Sequence, residues 1–457
     1  MRALLAFLSC LYCTLLFSQD PRLVYAWVSN NDSFESLVIV NNLGDGPAEI
    51  TLTARRGNGE QETVSRTVEA AGFLNETASS LFPGLGPGAG YSVVVSSDLD
   101  RLAGRWITFQ RVTGTGNSPS QGVAVPFSEL ASGTNQRLGQ RILFGYLPLT
   151  ADFFAAPVVV NLGDSATDVA LYVYNQQGAL VMLDTQTMAG LEPFRPFAVL
   201  MSSLVPDTIE PLNVVAVSED QPLTGVSFVF NTGGEPSIGN VTGLADLPGA
   251  VSFGFQFSES LEGWTAGFAD YPVGEDEFYE LAFDHRDLPA ELGTQGAMFL
   301  SGNNHSDDLF MFVKRKVEGL VPNANYLVRF RIMIASNAGM GCPGSGGAPG
   351  ETVFFKAGAS VFEPLAIDED GTLRMNIDKG NQAAGGRAMQ VLDNIAVDTD
   401  CLAPDYVYKR FDNADQLFEV KTDPSGAIWL IAGTDSGFEA VTCIYFSEFE
   451  ARFFRLP

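Results

Sequence analysis

Val38-Ile39-Val40-Asn41-Asn42-Leu43-Gly44-Asp45 is an apolar run that stops at asparagine and turns over a glycine. It returns as Val158-Val159-Val160-Asn161-Leu162-Gly163-Asp164, the two Leu-Gly-Asp triplets standing 119 residues apart. Val93-Val94-Val95-Ser96-Ser97-Asp98 returns as Val215-Ala216-Val217-Ser218-Glu219-Asp220, and Leu102-Ala103-Gly104 with Phe109 returns as Leu223-Thr224-Gly225 with Phe230. Three landmarks repeat in the same order with almost constant spacing. Each unit is far longer than a solenoid repeat, so each is expected to be a self-contained domain.

Within both units the apolar residues alternate or run in fours and fives, rich in Val, Ile, Thr and Phe. Turn signals such as Gly57-Asn58-Gly59 and Gln176-Gln177-Gly178 punctuate them at short intervals. No helical stripe of three turns is present. The pattern predicts two antiparallel β-sandwiches of about seven strands, over residues 24–127 and 138–246. On these residues, from Asn41 to Gly44 and from Ser97-Asp98 to Gly104, the region resembles the tandem immunoglobulin-like repeats of large secreted bacterial proteins. The resemblance covers about 24–246 and implies modules that space and present other domains.

A composition break follows. All six lysines, both histidines and the cysteines Cys342, Cys401 and Cys443 lie beyond residue 250, after the turn Leu247-Pro248-Gly249. The segment 250–457 opens with Phe253-Gly254-Phe255-Gln256-Phe257 and reaches Leu261-Glu262-Gly263-Trp264. Its centre is Gly319-Leu320-Val321-Pro322-Asn323-Ala324-Asn325-Tyr326, where Pro322-Asn323 predicts a turn. Beyond it Tyr326, Val328, Phe330 and Ile332 share one strand face, and Leu327, Arg329 and Arg331 the other. It closes on the alternating run from Cys443 to Phe453. These three pieces are similar to the landmarks of galactose-binding-like jelly rolls, including carbohydrate-binding modules. The expected fold is therefore all-β, two immunoglobulin-like sandwiches followed by a larger jelly-roll-like one. Gly339 to Gly350 and Asn376 to Gly386 depart from the pattern and read as long loops.

Composition sets the partners. The 457 residues carry 26 Lys and Arg against 54 Asp and Glu, a net charge of −28. That charge excludes nucleic acid and an anionic membrane surface as partners, since both require clustered basic residues. Met1-Arg2, the apolar run Ala3–Phe17 and the polar break at Ser18 have the arrangement expected of a secretory signal over residues 1–18, with a retained N-terminal anchor as the alternative. No later stretch has the length of a membrane-spanning helix, so no transmembrane segment is expected after cleavage. The product is expected to be secreted, cell-surface or periplasmic, where a Cys342–Cys401 disulfide is credible. Cys443, inside an apolar run, reads as a small buried hydrophobe.

Ligand-binding candidates combine aromatic rings with hydrogen-bonding groups: Trp264, Phe268 and Tyr271 in one stretch, and Asn303, Asn304, His305 and Asp307 in another. Trp264 reads equally as a core residue. Asp307 and Asp308, beside His305, could hold a divalent ion or make local turn bonds. The jelly-roll resemblance implies a structural Ca2+ without placing it. Asp368-Glu369-Asp370-Gly371 lacks the remaining ligands of a calcium loop and predicts a β-turn. Catalytic motifs are missing: no Gly-x-Ser-x-Gly, Walker or His-Glu-x-x-His pattern occurs. The leading expectation is a non-catalytic protein binding extracellular carbohydrate or a surface protein through its last module. The alternatives are a purely structural or adhesive surface protein, and a glycoside hydrolase using carboxylates such as Glu275, Asp276, Glu277 and Glu280.

Overall fold

The computed structural model describes residues 20–111, 120–129, 137–206, 208–306 and 308–456. The expected signal segment and Asp307 lie outside them. The protein is an all-β assembly of antiparallel sheets, and among the described residues helix is limited to single turns such as α1 (Ala78–Leu81) and α2 (Met201–Leu204). It divides into two compact units, one of residues up to Gln176 with Asp184–Asp246, the other of Leu247–Pro457 with Gln177–Leu183.

In the first unit the repeat seen in the sequence is a repeat of topology. Strands β1 (Pro21–Val28), β2 (Phe34–Asn42), β3 (Ala48–Arg56), β4 (Gln61–Val68), β5 (Phe73–Thr77), β6 (Tyr91–Ser97), β7 (Leu102–Gln110), β8 (Ser120–Val123) and β9 (Val125–Pro126) form sheets ordered β4-β3-β6-β1-β9 and β5-β2-β7-β8. After the short β10 (Leu138–Gly139), the second copy runs β11 (Arg141–Leu147), β12 (Phe153–Asn161), β13 (Thr167–Tyr174), β14 (Leu180–Leu191) and β15 (Pro196–Ala198). It continues with β16 (Leu212–Ser218), β17 (Leu223–Asn231), β18 (Pro236–Asn240) and β19 (Thr242–Gly243). Its sheets, β14-β13-β16-β11-β19 and β15-β12-β17-β18, follow the order of the first pair, with β10 added on β17.

The repeated asparagine explains why the motif persists. Asn42 Nδ2 donates to the carbonyls of Gly46 (2.8 Å) and Val68 (2.9 Å), while its Oδ1 accepts the Gly44 N–H at 2.8 Å. Asn161 does the same with Ser165 (2.7 Å), Leu191 (2.9 Å) and Gly163 (2.8 Å). A buried amide thus closes the loop that leaves each second strand, satisfying carbonyls that no ladder reaches. The copies are not independent. The first copy's core continues into Val158, Val160, Val226 and Phe228 of the second, so the two sandwiches pack as one unit rather than as self-contained domains.

The second unit contains β20 (Ala250–Gln256), β21 (Thr265–Ala269), β22 (Tyr271–Pro272), β23 (Ala282–Asp287), β24 (Gly296–Asn303), β25 (Leu309–Val317), β26 (Asn325–Ser336) and β27 (Val353–Ser360). It ends with β28 (Ala366–Glu369), β29 (Thr372–Met375), β30 (Met389–Asn394), β31 (Val407–Asp412), β32 (Phe418–Lys421), β33 (Ile428–Ser436) and β34 (Val441–Arg455). One sheet is ordered β23-β24-β34-β26-β31, with β20 also on β34 and β32 also on β26; the facing sheet is β21-β25-β33-β27-β30. Between them Tyr326, Val328, Phe330 and Ile332 are buried as their alternation requires, and Tyr326 Oη accepts the Val321 N–H at 2.9 Å below the Pro322-Asn323 turn. Arg329, on the opposite face, forks onto Asp412 at 2.9 and 2.7 Å.

The alternation of β34 contains an offset that its sequence alone does not reveal. Met333 pairs with Glu448 and Ile334 with Phe446, leaving Ser447 as a bulge. That extra residue keeps both Phe446 and Phe449 on the core face. Cys342 and Cys401 form a disulfide with Cα atoms 5.5 Å apart, closing the Gly-rich loop onto residues far along the chain. Cys443 is free and half-buried, its sulfur 3.1 Å from Ser301 Oγ, so it is less enclosed than its apolar surroundings suggest.

Candidate functional site

The outer face of sheet β21-β25-β33-β27-β30 is not open to water. Phe310, Phe312, Met389 and Ile431 point outward there and are covered by Ala366, Met375 and Ile377 from the β28–β29 hairpin and the strap that follows it. The hairpin turns at Asp370-Gly371, both with positive φ (56° and 85°), the two-residue turn that Asp-Gly favours.

Beneath the strap lies a buried ionic cluster. Asp435 (β33) and Lys356 (β27) are each 0% exposed. Asp435 Oδ2 accepts from Lys356 Nζ (2.8 Å), Lys379 Nζ (2.8 Å) and the Gln382 N–H (2.9 Å). Lys356 also donates to the carbonyls of Lys379 (3.1 Å) and Ala384 (3.0 Å), so one ammonium ties the strap to the sheet at two points. Lys379 Nζ reaches Asp270 Oδ2 at 3.0 Å, and Arg374 Nη1 donates to Asp270 Oδ1 at 3.0 Å and stands 3.9 Å from Asp308 Oδ2. Asp270 holds a left-handed backbone (φ 65°) at the junction of β21 and β22, a conformation that only a fixed surrounding sustains.

The electrostatics follow from this packing. Burial would raise Asp435, but the two ammoniums win and hold it below the ordinary carboxylate range. Burial likewise opposes the charge on Lys379, yet Asp435 and Asp270 keep its pKa above normal; for Lys356 burial prevails and lowers it. Asp308 is pushed up to about 6 by burial first, then by the Asp270 charge. Its Oδ1 and Asp435 Oδ1 meet no N–H or hydroxyl donor, and the two carboxyls can bond each other only when Asp308 carries a proton.

Asp270, Asp308 and Asp435 each offer an oxygen within 4.8 Å of the others, and these would be the ligands of an ion. The residues fit calcium poorly. Calcium takes six to eight oxygens, whereas here the Lys379 ammonium already bridges two of three carboxylates, and three cationic side chains balance three acids.

A measurable pH dependence follows. Folded Asp308 holds a proton up to about pH 6, while the unfolded carboxyl loses it near 3.8. Stability from this group is therefore complete below that lower value and declines as pH rises through the window to about 6. Melting temperatures between pH 4 and 7 should show that decline in the parent chain and a flatter profile in Asp308→Asn. EDTA should leave both profiles unchanged; a calcium-dependent rise at pH 7 would place an ion in the cluster instead.

Beside the cluster, the loops 270–280 and 303–308 bring four rings together. Phe278, 57% exposed, stacks on exposed His305 with centroids 4.1 Å apart and an interplanar angle of 26°. Tyr279 meets His305 edge-on at 5.4 Å, and Tyr271 lies 5.1 Å from Tyr279. Asn303 Nδ2 donates to Glu280 Oε1 at 2.9 Å at the rim.

Several expected site residues take other roles. Trp264 is 2% exposed, packed against Phe449 (4.6 Å) and Phe255 (5.4 Å), so its ring cannot stack on a ligand. Phe268 is partly buried against the same core. Tyr271 is buried, its hydroxyl donating to Asp276 at 2.6 Å; it supports the rim rather than facing outward. Asn304 is spent on structure, Nδ2 donating to the carbonyls of Ser436 (2.8 Å) and Phe438 (3.1 Å). His305 and Asn303 remain accessible, and Asp308 joins the cluster described above. Phe278 escaped the sequence reading because it directly follows the acidic run Glu275-Asp276-Glu277 and precedes Glu280. Lys356 is a lone charge in a mostly apolar strand, whereas Asp435 sits in the polar end Thr434-Asp435-Ser436 of its own, so nothing in either sequence links the two.

No protein-family model and no characterised relative matches the chain in sequence. Among solved structures it is similar to the N-terminal CBM22 tandem domain of Paenibacillus barcinonensis Xyn10C, at 8% identity over 78% of this chain and 88% of that one, TM-score 0.23. It is also similar to the K1 cleaved adhesin domain of Lys-gingipain from Porphyromonas gingivalis W83, at 10% identity over 44% and 97%, TM-score 0.22. A third likeness is to Thermotoga maritima 1070, at 17% identity over 24% and 94%, TM-score 0.20. Similarity this slight carries no statement of activity.

Proposed function

We propose that this chain is an extracellular, non-catalytic binding protein whose C-terminal module takes carbohydrate, or another extracellular ligand with a flat apolar face, on the Phe278–His305 platform. The two sandwiches act as spacers. The observation that supports this reading is the exposed Phe278 ring, held flat on an imidazole and bordered by the Asn303–Glu280 pair. An aromatic face with amide and carboxylate groups at its edge is the chemistry that recognises a sugar ring. Hydrolysis by the nearby carboxylates is a poorer fit. A retaining pair flanks its substrate at about 5 Å, whereas Asp435 is fully buried and its Oδ2 is taken by two ammoniums.

A glycan array with the full chain tests the proposal. Phe278→Ala should reduce binding about tenfold, the worth of one stacked ring, while the melting temperature stays unchanged. Binding that survives the substitution, or no glycan retained by the parent chain, overturns the platform reading.

A further inference from the structure

We propose that Arg55 and Arg195, with the ring of Phe194, bind the carboxylate-bearing unit of an acidic glycan, a uronate, in the crevice between the two sandwiches of the first unit. This site is independent of the Phe278 platform, which belongs to the other unit.

The argument starts from charge. Six arginines of this unit, Arg22, Arg56, Arg66, Arg101, Arg111 and Arg137, each stand beside a carboxylate. Arg55, Arg195, Arg105 and Arg141 do not, and of these four Arg55 and Arg195 line one crevice together. Among the described residues no carboxylate oxygen lies within 4.0 Å of either guanidinium, although acids outnumber bases twofold in this chain. Arg55 makes one side-chain bond, Nε to Gln61 Oε1 at 3.3 Å, and its cationic carbon sits 5.3 Å from the centroid of the Phe194 ring. Burial, and then the charge of Arg195, lower the pKa of Arg55. Two half-buried cations thus line one crevice, close enough for the charge of one to act on the other, an arrangement that an anion would relieve. Guanidinium forks match a carboxylate in geometry as well as charge.

The fold holds the pair in place. The Gly57-Asn58-Gly59 turn lies under Arg195, with an ideal Cβ position on Gly59 (φ 93°) 3.0 Å from Nη2, so the guanidinium rests close against the hairpin. Phe194 adopts a left-handed backbone (φ 58°), unusual for a bulky side chain, and is fixed by its N–H to the Asn161 carbonyl at 2.8 Å and by Ser92 Oγ on its own carbonyl. Backbone strain maintained at the edge of a crevice is an arrangement the surrounding structure has to hold. The crevice has a volume of about 740 Å³, within the range of small-ligand sites. Phe127 stands 5.9 Å from Phe194, supplying apolar surface for a sugar ring, and Gln61, Gln221 and Asp164 line the walls with groups that bond hydroxyls.

Isothermal titration of the full chain with tri-galacturonate, a neutral galacto-trisaccharide and sodium sulfate tests the assignment. Tri-galacturonate should bind and the neutral sugar should not. Arg195→Gln and Arg55→Gln should each weaken binding at least tenfold with unchanged melting temperature, and Arg195→Lys should recover only part of the loss. If one glutamine variant fails to fold, the other still decides. Absence of uronate binding, or binding indifferent to both substitutions, overturns the proposal. Sulfate binding as tightly as the uronate with the same sensitivity also overturns it, leaving an adventitious ion only.

Discussion

Asp435→Ala will cost the C-terminal unit about 3–5 kcal/mol, the usual penalty for removing one partner of a buried ion pair. The carboxylate is wholly enclosed and receives two ammoniums and a backbone N–H on a single oxygen. Without it Lys356, equally enclosed, retains only the carbonyls of Lys379 and Ala384 as acceptors, and its charge becomes uncompensated. The strap would then detach, exposing Phe310, Phe312 and Ile431 on the outer sheet face. Denaturant unfolding of the full chain should show one transition shifted and the other in place, because the first unit does not contain the cluster. Asp435→Asn should recover little, since it restores an acceptor but no charge. Replacing Asp435 and Lys356 together by Leu and Met should recover part of the loss, since Lys379 keeps Asp270 as its partner and the remaining pair is replaced by apolar groups of similar volume. If Asp435→Ala melts with the parent chain, the cluster does not fasten the strap.

Why this cluster was invisible beforehand, while the fold was largely legible, has a physical answer. A sandwich announces itself locally. Asn42 and Asn161 recur with the turns they hold a few residues on, at Gly44–Gly46 and Gly163–Ser165, and the faces of Tyr326–Ile332 follow from a two-residue period. The Asp370-Gly371 turn likewise depends on two adjacent backbones. Ionic clusters are assembled across sequence distance instead. Lys356 and Asp435 are 79 residues apart, and Asp270 reaches Arg374 over 104, so no spacing motif links them. The bulge at Ser447 escaped for the same reason, since a bulge is defined by the partner strand. The merging of the two sandwich cores depends on side chains meeting between copies, which repeat spacing does not report.

Trp264→Ala will be the second most damaging substitution, at about 3–5 kcal/mol, and it will act on folding instead of binding. The ring is packed at the centre of a three-phenylalanine cage, against Phe255, Phe257 and Phe449, at the point where β20, the turn Glu262-Gly263 and β34 converge. Truncation empties a site whose walls are β-strands tied on both edges, so little collapse can offset the cavity. The indole N–H has no acceptor inside this cage. Trp264→Phe therefore gives up volume but also removes an unsatisfied donor, and should cost much less than the alanine variant. Paired with Phe278→Ala, the substitution separates the two roles that aromatic residues play in this module. The buried ring should lower the unfolding midpoint and leave ligand affinity intact at temperatures where the protein is folded; the exposed ring should do the reverse. Should Trp264→Ala weaken glycan binding about tenfold at a temperature where circular dichroism shows a native sheet spectrum, the core assignment would fail and the indole would have to reach the ligand surface.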